Sequence, residues 1–367
     1  MKSKAGRLYL QVFLSLILTW TSGIGLAGGS SAYQISGRVI DSEGARGLTG
    51  ISLYFNDDNR PSFTDPSGNW SRSDLSGPVT IKPFRQGFIF EPSKITVTGP
   101  GSAITFRAMF RASDLPGKIA FASGEKIRVV TPNGGNNTGL PLEQSMHPTW
   151  APCGCYIAYQ HRTSGRDWQI EIYGTKDQKN YGVLTEKEYC STLPSWSPKG
   201  PSIAYVSQQW GNPEICVKNI KTKALTRLTE HPGTDTEPAW SPDASKIIFA
   251  SDRSGRQDIW EVAAQGGTAI QVISDASHPS WSARNEIAFV RDGNIFVREA
   301  DGTTLRQLTT SGLNSEPSWS TDGSWITFIS NQENHPAVYI MYADGSHQIK
   351  LTNNNTAAQH SPEWYSK

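Results

Sequence analysis

The sequence predicts an all-β protein, an N-terminal β-sandwich followed by a six-bladed β-propeller that the C-terminal strand closes. Three observations carry this. A Pro-x-Trp pattern recurs six times, at Trp150, Trp196, Trp240, Trp281, Trp319 and Trp364, with spacings of 46, 44, 41, 38 and 45 residues. Apolar and polar residues alternate through each repeat, and no amphipathic helix interrupts them. The repeat also starts and stops out of phase, so each end of the chain holds part of one unit.

The chain opens with MKSKAGR, an apolar run LYLQVFLSLILTW and a small-residue tail TSGIGLAGGSSA. This reads as a secretory signal peptide over residues 1–32, cut after Ala32 or alternatively after Ala27. The apolar run of 13 residues is shorter than the roughly 20 a membrane span requires, and no cysteine offers a lipid anchor. The mature chain is expected in the periplasm or outside the cell, with no membrane span.

Residues 33–110 contain short alternating runs (ISGRVI, ISLYF, VTIKPF, ITVTG) split by Gly, Pro and Asp, the pattern of an antiparallel sandwich. The stretches SGRVID, GISLYF, FTDPSGNWSRSDLSGPVTIKP and GFIFEPS resemble carboxypeptidase regulatory-like domains, which implies a transthyretin-like sandwich acting as spacer or adhesive module. Some related sandwiches bind glycans, so Trp70 and Phe88 are candidates for stacking on sugar, against core and turn packing. Residues 111–116 read as a linker, with SDLPG as a short hinge.

From residue 117 to 367 each repeat offers four strand-like runs: P-x-W-S, then runs such as KIIFAS, then runs such as DIWEV, then an ending near Leu-Thr. A period of about 40–45 residues with four strands suits propeller blades. Asp-Gly and Asn-Gly turns supply the positive φ angles that tight hairpins demand. The run KIAFAS enters on a second strand, and HSPEWYSK, residues 360–367, supplies a first strand. Blade one is therefore expected to hold both chain ends, which removes the ring's open edges. The fullest copy, EPAWSPDASKIIFASDRSGRQDIWEV, resembles the TolB-type, or WD40-like, propeller repeat, and six registered copies make the resemblance specific. Full members carry an α/β domain where this chain has the sandwich, so a role in the Tol system is not carried over.

Charge excludes one class of partner. With 34 basic and 33 acidic residues, net +1, and no basic stripe, nucleic acid is not expected. There is no Gly-x-Ser-x-Gly elbow, HExxH, P-loop or dinucleotide fingerprint, so no enzyme activity and no cofactor are expected. Cys153, Cys155, Cys190 and Cys216 allow three full disulfide connectivities, none of which the sequence selects.

Topology places a site all the same. In an antiparallel blade the second-to-third loops and the connections between blades share one face, and in this chain those segments vary most. Residues three before each tryptophan (His147, Leu193, Glu237, His278, Glu316, Ser361) should ring the channel mouth on that face, with His360 beside them. His147 and His278 fall on opposite blades, as a divalent site would arrange them, yet ordinary hydrogen bonding is the favoured expectation and no metal is assigned. Trp168, Trp210, Asp235, Arg253, Arg256 and His335 lie in the variable loops and are the candidate contacts for a protein partner in the envelope. The alternative expectation is a glycan-binding or metal-assisted glycan-cleaving channel, as in oligogalacturonate lyases with related repeats.

Overall fold

A computed structural model describes residues 32–42, 46–56, 58–162, 167–353 and 357–366. The expected signal peptide lies outside these apart from Ala32, as do residues 163–166 and 354–356 of two variable loops. The chain divides into two compact units, one ending at Met109 and one spanning Phe110–Lys367.

The first unit is a sandwich of two four-stranded sheets. Ile35, Val39 and Phe106 from one sheet meet Leu53, Phe55 and Ile81 from the other in a common core, each at most 3% exposed. One feature departs from the antiparallel expectation. Strand Tyr33–Asp41 runs parallel to Gly101–Phe110, pairing Val39 with Phe106. Alternating burial looks the same in parallel and antiparallel neighbours, so sequence pattern alone does not separate them.

The second unit consists of six four-stranded antiparallel sheets. Five follow chain order, and the sixth is composite. Strand Gln359–Tyr365 pairs antiparallel with Lys118–Ser123, setting Trp364 opposite Ile119 and Glu363 opposite Ala120. Lys126–Val130 and Thr138–Glu143 complete this blade. The closing strand is seated tightly. Gly117, at φ +100°, lies where a Cβ would come within 2.1 Å of the Tyr365 carbonyl. Gly154, at φ +63°, lies directly beneath the Tyr365 ring.

The repeated residues have distinct physical tasks. The indole N–H donates to the neighbouring blade's backbone in three repeats: Trp150 to Glu363 O at 3.2 Å, Trp240 to Ser195 O at 3.0 Å and Trp319 to Ser280 O at 3.1 Å. The serine after the tryptophan is buried, and its hydroxyl accepts the first amide of the second strand, from Lys246, Glu286 and Trp325 at 2.9–3.0 Å. The Leu-Thr ending is explained similarly. The hydroxyls of Thr185, Thr229, Thr309 and Thr352 accept amides that open the third strands, at 2.8–3.1 Å. Each hydroxyl meets a buried backbone donor that would otherwise be costly to leave unpaired.

Cys153 and Cys155 form a disulfide, and Cys190 and Cys216 are free thiols. Among the described residues no helix is long and apolar enough to cross a membrane.

Candidate functional site

The six first strands line an axial cavity of about 390 Å³. His147, Leu193, Glu237, His278, Glu316 and Ser361 all line it, and all six have left-handed backbone, with φ between 47° and 55°. The strand register slips at each, as between Thr236 and Ala239. A residue before proline is ordinarily extended; here a β-bulge overrides that preference and bends the strand at the mouth. The six residues expected at the channel therefore lie in the cavity wall.

Hydrogen bonds link the bulges around the ring. Glu237 Oε2 accepts the His278 amide at 2.6 Å, and Glu237 Oε1 lies 3.3 Å from His278 Nε2. Glu316 repeats the arrangement, accepting the Ser361 amide and lying 3.6 Å from His360 Nδ1. Gln160 accepts the Leu193 amide at 3.2 Å. His147 Nδ1 meets the Ser361 hydroxyl. The carboxylates thus close the gaps that the bulges open between blades.

Electrostatics divide the histidines. Burial pulls the His147 imidazole down to about 4; the Glu316 charge opposes this, while His360 and His278 add to it. His147 is therefore neutral near pH 7 and a poor proton acceptor. The hydrogen bond to Glu316 pushes His360 upward against the opposing effect of burial. Burial alone would raise Glu316, but the His360 and Ser361 hydrogen bonds and the nearby histidines hold it below its ordinary value. Among the described residues, no group of three or more His, Cys, Asp or Glu side chains is placed to hold a metal ion.

Deeper in the channel lies a carboxyl absent from the sequence expectations. Glu363 occupies the variable position of its Pro-x-Trp copy, where the other copies have Thr, Ser or Ala. Its Oε1 accepts from Thr149 Oγ1 at 3.2 Å and the Trp150 amide at 3.3 Å. Burial pushes it up to about 7, against those two hydrogen bonds. The side chain is half-buried rather than sealed, because the cavity reaches it. Its chemical difference from the other five copies is the signal that could have found it.

The loop residues fare differently. Thr234 N donates to Asp252 Oδ1 at 2.7 Å, so the inter-blade connection and the second-to-third loop do share a face. Asp235 is fully buried, accepting from Ser251 Oγ at 2.6 Å and from Arg253 at 2.7–2.8 Å. The Arg253 side chain is only 11% exposed and lies over Phe249 and Trp260. This pair secures blade four's rim rather than standing free. Arg256 is 55% exposed and bridges Asp258 and Asp275 at 3.2 Å each. Trp168 and Trp210 are half-buried under the guanidinium groups of Arg162 and Arg227, at 4.5 and 4.9 Å from the ring centres. His335 is exposed. These loop residues belong to several blades and do not form one cluster. The same face exposes Leu313 (68%) and Tyr189 (38%), apolar residues in otherwise polar connections that could have been picked out on that ground.

Six four-stranded blades around a channel lined by their first strands define a six-bladed β-propeller. The sequence pattern of the TolB beta propeller domain matches residues 125–367, and the chain belongs to that family. A protein TolB homolog of Chlorobium luteolum is 28% identical over 184 residues, covering 48% of this chain and 33% of that protein. The Tol-Pal system protein TolB of Geobacter sulfurreducens is 34% identical over 73 residues, 19% of this chain and 17% of that protein. The match thus spans a third or less of these relatives' length. The crystal structure of TolB from Acinetobacter baumannii superposes with a TM-score of 0.61 at 24% identity, over 68% of this chain and 66% of that one, a likeness of fold.

Proposed function

We propose that this chain is an exported, non-catalytic scaffold of the cell envelope that binds a protein partner through the variable-loop face, with the channel mouth at its centre. The observation that carries this is the contrast between the two faces. On one, hairpins are short and held by their own side chains, as where Asp243 binds Ser241 and Ser245 at 2.6–3.0 Å. The other exposes Leu313, Tyr189, Arg256 and His335 in its loops and connections. Apolar and arginine side chains on irregular loops above a rigid ring suit an interface. A relative whose name assigns it to the Tol-Pal system supports a multiprotein setting. Burial makes His147, which meets the Ser361 hydroxyl, too weak a base to activate it efficiently near pH 7, which supports binding rather than acyl transfer.

The test is affinity capture from envelope extract. Arg256→Glu, His335→Glu, Tyr189→Ala and Leu313→Ala together should abolish capture of the partner retained by the unaltered protein. Lys199→Glu with Lys221→Glu, on the opposite face, should leave it intact. Equal capture by both variants contradicts the proposal.

A further inference from the structure

The sandwich sheet made by Ser62–Phe63, Ser52–Phe55, Val79–Phe84 and Ile95–Val97 buries only one of its faces. Leu53, Phe55, Val79 and Ile81 point inward, each at most 3% exposed. On the outer face Phe63 is 63% exposed and Phe84 58%. Both are registered opposite the same residue, Ser52, on the strand between them. Paired residues share a face, so the two rings flank a small hydroxyl-bearing side chain. Two strand spacings separate them by about 10 Å.

The rest of that face is polar and hydroxyl-rich. Tyr54 is registered opposite Lys82 in the next row. Beyond it Thr80 Oγ1 and Thr96 Oγ1 lie 2.9 Å apart. Protein-docking surfaces gather apolar groups into a contiguous core with a polar rim. Here the aromatic groups are set apart, with hydrogen-bonding groups between and beside them. Exposing two phenylalanines to water forfeits burial worth about 1.5–3 kcal/mol each, and their regular placement calls for a ligand with matching regular apolar faces.

Sugar rings in an extended chain are such a ligand. The rings expected to stack, Trp70 and Phe88, are not the available ones. Trp70 is 4% exposed, edge-on to Phe55 in the core, and Phe88 is half-buried against Phe90 with the Arg85 guanidinium 5.8 Å from its ring. We propose that the outer face of this sheet is a binding platform for an extended β-1,4-linked polysaccharide, with Phe63 and Phe84 stacking on sugar faces about one disaccharide apart. Ser52 and Tyr54 lie on the same face, where their hydroxyls hydrogen-bond those of the sugar between the rings. A flat β-1,4 ribbon fits a flat sheet; a coiled α-1,4 chain does not touch both rings together. The site is independent of the propeller face.

The test is calorimetric titration of the purified full chain with chitohexaose, cellohexaose and, as the coiled control, maltohexaose. At least one β-1,4 hexasaccharide should bind and maltohexaose should not. Phe63→Ala and Phe84→Ala should each weaken binding about tenfold or more, with the thermal midpoint unchanged. Ser52→Arg, which fills the trough while keeping both rings, should abolish it, and His278→Ala in the channel should not alter it. Absence of binding by both β-1,4 ligands, equal binding of maltohexaose, or binding that survives the Phe substitutions overturns the proposal.

Discussion

Replacing Trp364 by alanine tests whether the C-terminal strand closes the ring. The indole is 4% exposed and lies 5.9 Å, centre to centre, from the Trp325 ring. Its N–H donates to Pro116 O at 3.2 Å, joining the two ends of the propeller chain. Truncating a buried tryptophan costs about 3–5 kcal/mol, and losing its hydrogen bond adds about 1 kcal/mol. Single domains have only about 5–15 kcal/mol in total, so Trp364→Ala removes a large fraction of the propeller's stability. At about 2–4 °C per kcal/mol for a unit of this size, the midpoint falls by about 10–20 °C. Deleting residues 361–367 goes further, because the pairing with Lys118–Tyr365 and Ile119–Trp364 and the staple from Trp150 to Glu363 O are lost as well. The freed edge strand Lys118–Ser123, apolar from Ile119 to Ala122, then invites aggregation. Differential scanning calorimetry and light scattering read both effects. A Trp364→Ala protein melting within about 2 °C of wild type refutes the closure argument.

Two further predictions concern groups the fold buries. Glu363 has a folded pKa of about 7, raised from 4.5. It binds its proton more tightly folded than unfolded, so its contribution is complete below about 4.5 and lost as pH rises through 7. Glu363→Gln should therefore match wild type near pH 4.5 and exceed it at pH 8, and a thermal midpoint difference that does not change with pH contradicts this. Asp235→Ala leaves Arg253 without its buried partner and should cost about 3–5 kcal/mol. Urea denaturation checks it, and a change below about 1 kcal/mol would match a surface pair instead.

The blade architecture was legible because its determinants are local and repeated. One Pro-x-Trp could mean anything, but six at a near-constant period, with the phase broken between Lys118 and Trp364, admit few arrangements. The channel ring followed from the same alignment, although its bulged backbone did not. Six consecutive Xaa-Pro pairs suggest extended strands, and only the crowding of six inner strands reveals the left-handed turn. Arg253 and Asp235 looked like free loop residues because their mutual contact spans the gap between two loops. Trp70 looked available for sugar because its burial depends on Phe55 in the facing sheet. Phe63 and Phe84 drew no notice because they are neighbours only through Ser52, a register that the strands set. The disulfide was open among three connectivities, and only loop geometry puts Cys153 beside Cys155.

Photo-crosslinking in envelope preparations, with a photoreactive residue placed singly around both propeller faces, decides which face binds the partner. Adducts with one partner are expected at positions 189, 256, 313 and 335 and at channel-mouth position 278, and none at 199 or 221. Adducts concentrated at 199 and 221, or absent from every position, would contradict binding through the variable-loop face.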